Sequence, residues 1–289
     1  MSPLDIKWLQ VEATTKCNAW CPGCARNKGG YKLSDNLVIE DLNIDRYAEL
    51  LEQFLNLETV DFCGTYGDAI AAANIVELTE LTKKYTKKIM VRTNGSLRTV
   101  DWWKQYAILL KDHDHEVWFC LDGLDDTHHI YRQATDFDTI IKNAKAFMSA
   151  GGVAVWQFIP WQHNEHQIMD CMRLSQQLGF KRFEFVKGVR LDIAPDRQPK
   201  HYGTGELINL KTWSKNNIMS KYEKSKDKVE KLNCQHLTQQ SVYINASGTI
   251  SNCCYFNNQR SVNDIAQLVN IEQEIKDNPH KTCLFHCGS

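Results

Sequence analysis

Cys17, Cys21 and Cys24 stand in the run Cys17-Asn-Ala-Trp-Cys21-Pro-Gly-Cys24, a C-x3-C-x2-C spacing. Thiolates this close in sequence can converge on one centre. Three of them leave a cubane iron–sulfur cluster one corner short, and an iron without a protein ligand can bind a substrate or cofactor. A zinc site that takes its fourth ligand from elsewhere is the alternative chemistry for the same three residues.

The elements that would position these thiols follow from periodicity. Residues 7–12 read as a strand, and the sulfur-rich loop follows it directly. Helical spacing over 44–55, with Ile44, Tyr47, Leu50, Leu51 and Leu55 apolar, precedes a second strand at 59–63. The alternation continues with a helix at 74–85, a strand at 88–92, a helix at 101–110 and a strand at 116–121. A helix at 137–150 closed by Gly151, a strand at 153–159, a helix at 168–178 closed by Gly179 and a sixth strand at 182–186 complete it. Six βα units imply an α/β fold with a parallel sheet and right-handed crossovers. No dinucleotide-type glycine fingerprint follows strand one, so a curved, partial (βα)6 TIM-type barrel is the expectation. Its chemistry belongs at the C-terminal ends of the strands, where the sulfur loop lies.

Composition narrows the class. The chain has 289 residues, 43% hydrophobic and 24% charged, with a net charge of −1, as expected for a globular protein with no global field toward nucleic acid or membrane. The N-terminus lacks the order of a signal peptide, no run of about 18 apolar residues suggests a membrane span, and the cytoplasm is the expected location. Eleven cysteines are many for such a protein, and their tight clustering suits metal or redox use better than a disulfide framework. Cys63, Cys120 and Cys171 fall in apolar patterns and read as small core residues.

Further motifs fall at the ends of the expected strands. Strand two runs into Cys63-Gly64-Thr65-Tyr66-Gly67-Asp68, strand three into Arg92-Thr93-Asn94-Gly95, and strand four into Leu121-Asp122-Gly123, followed by Tyr131 and Arg132. Strand five leads to Ile159-Pro-Trp-Gln-His-Asn164. Together with the cysteine spacing, these segments resemble the radical S-adenosylmethionine (radical SAM) superfamily. The resemblance implies that Cys17, Cys21 and Cys24 hold a [4Fe–4S] cluster whose open iron binds SAM. It implies that Gly64, Thr65, Tyr66, Gly67 and Asp68 form the glycine-rich segment beside the SAM ammonium. Asn94, Asp122 and Asn164 would lie near SAM, and Arg132 would pair with its carboxylate. Three departures stand out. Asp68 replaces a common Glu, Cys120 a common Ser, and Gly23 a common aromatic residue, a surface that Trp20 could supply.

A second cysteine group begins at Cys234. Cys234, Gly248 and Cys253 give C-x13-G-x4-C, Cys254 follows, and Cys283-Leu-Phe-His-Cys287 closes the chain. This resembles the twitch module, a shortened SPASM domain with one auxiliary [4Fe–4S] cluster, and implies Cys234, Cys253, Cys283 and Cys287 as ligands. A structural zinc knot and an open three-ligand cluster remain alternatives. A β-hairpin at 242–244 and 249–251 would carry the module. Residues 1–186 thus read as the radical SAM barrel, 187–233 as a connector or lid, and 234–289 as the auxiliary module. Lys211 to Lys231 holds seven lysines against three acids, a solvated face or a contact for an acidic partner.

By the resemblance, the chain reductively cleaves SAM to a 5′-deoxyadenosyl radical that abstracts hydrogen. The expected substrate is a peptide or protein side chain. A small molecule such as a sugar or nucleotide is the alternative, and a non-catalytic iron–sulfur protein a third reading. Two [4Fe–4S] clusters and SAM are the implied cofactors, and flavodoxin or ferredoxin the implied type of reductant.

Overall fold

The structure is a computed structural model and describes residues 6–186, 198–211, 234–254 and 261–268. Six parallel strands form its centre: β1 (Trp8–Val11), β4 (Thr59–Phe62), β5 (Ile89–Thr93), β6 (Glu116–Cys120), β7 (Ala154–Phe158) and β8 (Arg182–Phe185), in that spatial order. A small hairpin, β2 (Asn27–Lys28) and β3 (Lys32–Leu33), stands between β1 and the first helix. The helices are α1 (Ile44–Leu51), α2 (Ile75–Thr82), α3 (Val100–Leu110), α4 (Asp125–Tyr131), α5 (Phe137–Ser149) and α6 (Ile168–Leu178). The α/β partial barrel expected from the sequence is the fold observed.

The helices start where side chains can take the first free N–H groups. Asn43, Thr99 and Asp136 accept from the backbone N–H three residues on, at the heads of α1, α3 and α5. Gly179 closes α6 in the left-handed region, at φ 91°. Helix α1 stops at Leu51 rather than running to 55, because Gln53 and Phe54 bond three residues back and tighten the last turn.

Alternation along each strand sorts two faces. Leu9, Val11, Val60, Phe62, Val91, Val117, Phe119, Trp156 and Phe158 turn to the helices and build the main core. The opposite face mixes a small apolar cluster of Met90, Trp118 and Val155 with polar groups. There Arg92 pairs with Asp61 at 3.0 Å, donates to Gln157 at 2.7 Å and lies over the Trp118 ring. At the N-terminal end of the strands Glu116 accepts from Arg182 and Lys181.

Near the C-terminus, a short helix α7 (Gln235–Gln239) leads into the hairpin β9 (Ser241–Ile244) and β10 (Ile250–Ser251). Strand β9 pairs in parallel with β1, Trp8 opposite Ser241 and Val11 opposite Ile244. The hairpin therefore extends the barrel sheet past β1 into eight strands. Among the described residues, no helix is long and apolar enough to cross a membrane.

Candidate active site

The segments after β1, β4, β5, β6 and β7 meet at one cavity of about 260 Å³ at the C-terminal ends of the strands. Cys17, Cys21 and Cys24 line it together with Gly64, Gly67, Asp68, Asn94 and Arg132. Eight residues singled out from sequence thus share one wall, although up to 115 positions separate them. Strand registry explains the convergence, because parallel strands release their loops on the same side.

Each of the three thiols has a donor within reach of its sulfur. Cys17 Sγ accepts from the Ala19 N–H at 3.3 Å and faces Asn94 Nδ2 at 3.7 Å, Cys24 Sγ accepts from the Arg26 N–H at 3.4 Å, and Arg132 Nη1 stands 3.9 Å from Cys21 Sγ. Donors aimed at sulfur suit a thiolate. Burial pushes the Cys21 thiol up to about 12, even though Arg132 pulls it back, and burial also raises Cys17. Metal coordination removes such a proton outright. Among the described residues no three Cys, His, Asp or Glu side chains are grouped as a single ion requires. A cubane seats each thiolate on its own iron and so spreads its ligands more widely than one zinc ion would. Trp161, fully buried on the cavity wall, also leaves its Nε1–H without a partner among the described residues. The donor set and this orphaned group both fit a cluster with a polar ligand beside it.

Segment 64–68 is fixed at both ends. Glu12, which follows β1 and is fully buried, accepts from the N–H of Thr65 at 3.0 Å, Tyr66 at 3.1 Å and Gly67 at 2.8 Å, and from the Tyr243 hydroxyl at 2.8 Å. Burial raises its carboxyl to about 7, against the pull of those four donors. Asp68 accepts from the N–H of Asn94 at 2.6 Å and of Ile70 at 3.0 Å. Position 67 must be glycine, since a Cβ there would lie 2.0 Å from the Thr14 carbonyl oxygen.

Asp122 uses one oxygen on Arg132 Nε at 2.6 Å and the other on the Ile159 N–H at 2.6 Å, and so ties Arg132 to the loop after β7. Arg132 lines the cavity, with its Nη1 3.9 Å from Cys21 Sγ. Asn164 is turned inward, accepting from the Trp161 N–H and donating to the carbonyls of Asp122 and Ile159, and it shapes the wall without lining it. Trp20 also lies off the cavity. Its ring stacks on Tyr202 with centroids 4.7 Å apart and sits under the Arg26 guanidinium. The aromatic surface comes from Tyr131 and Trp161 instead, tilted at 4.7 Å. Cys120, read as core, faces the cavity with Arg92 and Gln157.

At the second cysteine group, Cys234 precedes α7 and Cys253 follows β10. The antiparallel hairpin returns these two positions to the same end, and an Asn252–His236 hydrogen bond of 2.9 Å links the flanking residues. Cys283 and Cys287 lie outside the described residues, as does most of 187–233. Within that connector, residues 198–211 cross the sulfur loop: the Lys200 N–H donates to the Gly29 carbonyl, and Leu210 packs on the cluster of Ala19, Cys21, Tyr131 and Trp161.

No protein-family model and no curated protein sequence matches the chain. Solved structures do match. SuiB of Streptococcus suis bound to S-adenosylmethionine superposes with a TM-score of 0.65 at 14% identity, over 98% of this chain and 71% of that one. SuiB bound to its precursor peptide SuiA gives 0.63 at 15% identity, over 92% and 65%. A histidine-tagged anSMEcpe with bound AdoMet gives 0.61 at 15% identity, over 96% and 79%. At this identity the likeness establishes the shared α/β partial-barrel fold.

Proposed function

We propose that the chain is a radical SAM enzyme that modifies a peptide or protein side chain. The observation that carries this reading is the cavity where three thiols, the glycine-rich segment 64–68 and Arg132 meet at the C-terminal ends of a parallel partial barrel. When bound there, a [4Fe–4S] cluster and SAM supply one-electron cleavage of SAM and hydrogen abstraction by the 5′-deoxyadenosyl radical. Cys17, Cys21 and Cys24 hold the cluster. The Gly64–Asp68 backbone takes the SAM ammonium, Arg132 the carboxylate, and Tyr131 with Trp161 excludes water. Cys234, Cys253, Cys283 and Cys287 hold an auxiliary cluster, and a flavodoxin or ferredoxin supplies electrons. The peptide substrate is favoured because SuiB, which shares the fold, was captured with a precursor peptide.

The metal content tests this directly. Anaerobically reconstituted protein is expected to hold two clusters, about eight irons per chain, and the triple variant Cys17→Ala, Cys21→Ala, Cys24→Ala about four. Stoichiometric zinc in place of iron would contradict both cluster assignments.

A further inference from the structure

Glu12 is a buried carboxylate with no cation on it among the described residues. Its four hydrogen bonds come from three successive backbone N–H groups and one phenol, two to each oxygen. A carboxylate offers four such acceptor sites, two on each oxygen; an amide at the same place would turn its NH2 toward donors. This arrangement does more than fill a strand end. A trans peptide unit points its C=O opposite to its N–H. With the N–H groups of Thr65, Tyr66 and Gly67 gathered on Glu12, the carbonyls of Gly64, Thr65 and Tyr66 must point away from it. The Thr65 carbonyl oxygen accordingly lies 3.9 Å from Cys24 Sγ, on the cluster side, and Gly64 lines the cavity.

Tyr243 brings in a second element. It lies on β9, is fully buried, and reaches Glu12 across the β1–β9 pairing. Sequence separation between Tyr243 and Glu12 is 231 residues, so the C-terminal hairpin contacts the cavity wall through this carboxylate.

We propose that Glu12 is the positioning residue for the cation-accepting wall of the cavity: by holding the N–H groups of residues 65–67 it presents the opposite carbonyls to the α-ammonium of SAM, and Tyr243 makes that presentation depend on the docked C-terminal hairpin. The inference rests on the SAM-binding reading above. Deprived of the carboxylate, the peptide units of 64–67 are free to rotate, and the wall loses its acceptors while Arg132 keeps its own site.

The test compares two thioether ligands on reconstituted holoprotein: S-adenosylhomocysteine, and its counterpart with the α-amino group replaced by hydrogen. Wild type is expected to favour the amine. Glu12→Gln should weaken binding of S-adenosylhomocysteine about tenfold and leave the amine-free ligand within about twofold. Tyr243→Phe, which removes only the hydroxyl, should show the same selectivity with a loss of about threefold and serves if Glu12→Gln does not fold. Equal losses for both ligands, or no loss for either, would overturn the positioning role. Failure of wild type to bind SAM or S-adenosylhomocysteine would instead overturn the cofactor reading and this inference with it.

Discussion

At the N-terminal end of the barrel, Glu116 takes bonds from Arg182 at 2.7 Å on each oxygen and from Lys181 at 3.0 Å, and Arg182 lies over the Trp118 ring. At the C-terminal end, Glu12 and Asp68 are held by backbone N–H groups, whereas Asp122 pairs with Arg132. The same strand face thus carries two kinds of carboxylate. At the N-terminal end, charge is met by charge. At the open end, carboxylates fix loops, so whatever moves the carboxylate moves the wall of the cavity. Their acidities differ accordingly. Glu116 is held at about 2, with Arg182 and Lys181 outweighing its burial, whereas burial lifts Glu12 to about 7.

Removing one arginine from each end should break this symmetry most visibly. Arg132→Ala strands the fully buried Asp122 and is expected to cost about 3–5 kcal/mol of stability, the range for an orphaned buried charge. It should also weaken SAM binding by about 1.5–3 kcal/mol. Arg182→Ala leaves Glu116 its bond from Lys181, so about 1–3 kcal/mol of stability should be lost with no change in SAM affinity. Denaturation curves and equilibrium binding on both variants check the contrast, and equal effects on SAM binding would erase it.

The smaller effect is in pH dependence. Glu116 binds its proton less tightly folded than unfolded, so its contribution to stability is present above about pH 4.5 and lost as the pH falls toward 2. Glu12 binds its proton more tightly folded, so its contribution is present below about 4.5 and lost as the pH rises through 7. Glu116→Gln should therefore flatten the acid limb of a stability profile, and Glu12→Gln the limb between 4.5 and 7. A Glu12→Gln profile parallel to wild type in that window would show the carboxyl to be unperturbed.

Much of the open end is legible in sequence because its residues follow strand ends in short runs. The Cys17–Cys24 spacing, Gly64 to Asp68, Asn94 and Arg132 each come from a loop that a parallel sheet delivers to one side. Glu12 is not legible in that way. It is one acid at the end of an apolar strand, and its partners are backbone N–H groups 53 to 55 residues away. An ionisable residue closing a strand that feeds the sulfur loop was the available signal. The parallel pairing of β9 with β1 is hidden for a similar reason, since a four-residue strand carries no mark of its partner. Helix α4 is also missed, because Asp125-Asp-Thr-His-His lacks apolar spacing and is held by packing around Thr127, His128 and Tyr131. Trp20 shows the reverse error: its place beside the cysteines suggested the cavity, yet the 198–211 segment claims its ring through Tyr202.

In the proposed function the three-thiol cavity cleaves SAM. The most direct measurement is 5′-deoxyadenosine formed from SAM by the reconstituted protein under anaerobic conditions with dithionite as reductant. Wild type should release 5′-deoxyadenosine and methionine in equal amounts, Glu116→Gln should retain this, and the triple variant Cys17→Ala, Cys21→Ala, Cys24→Ala should release none. Iron-replete wild type that binds SAM yet forms no 5′-deoxyadenosine above the triple variant would contradict the account.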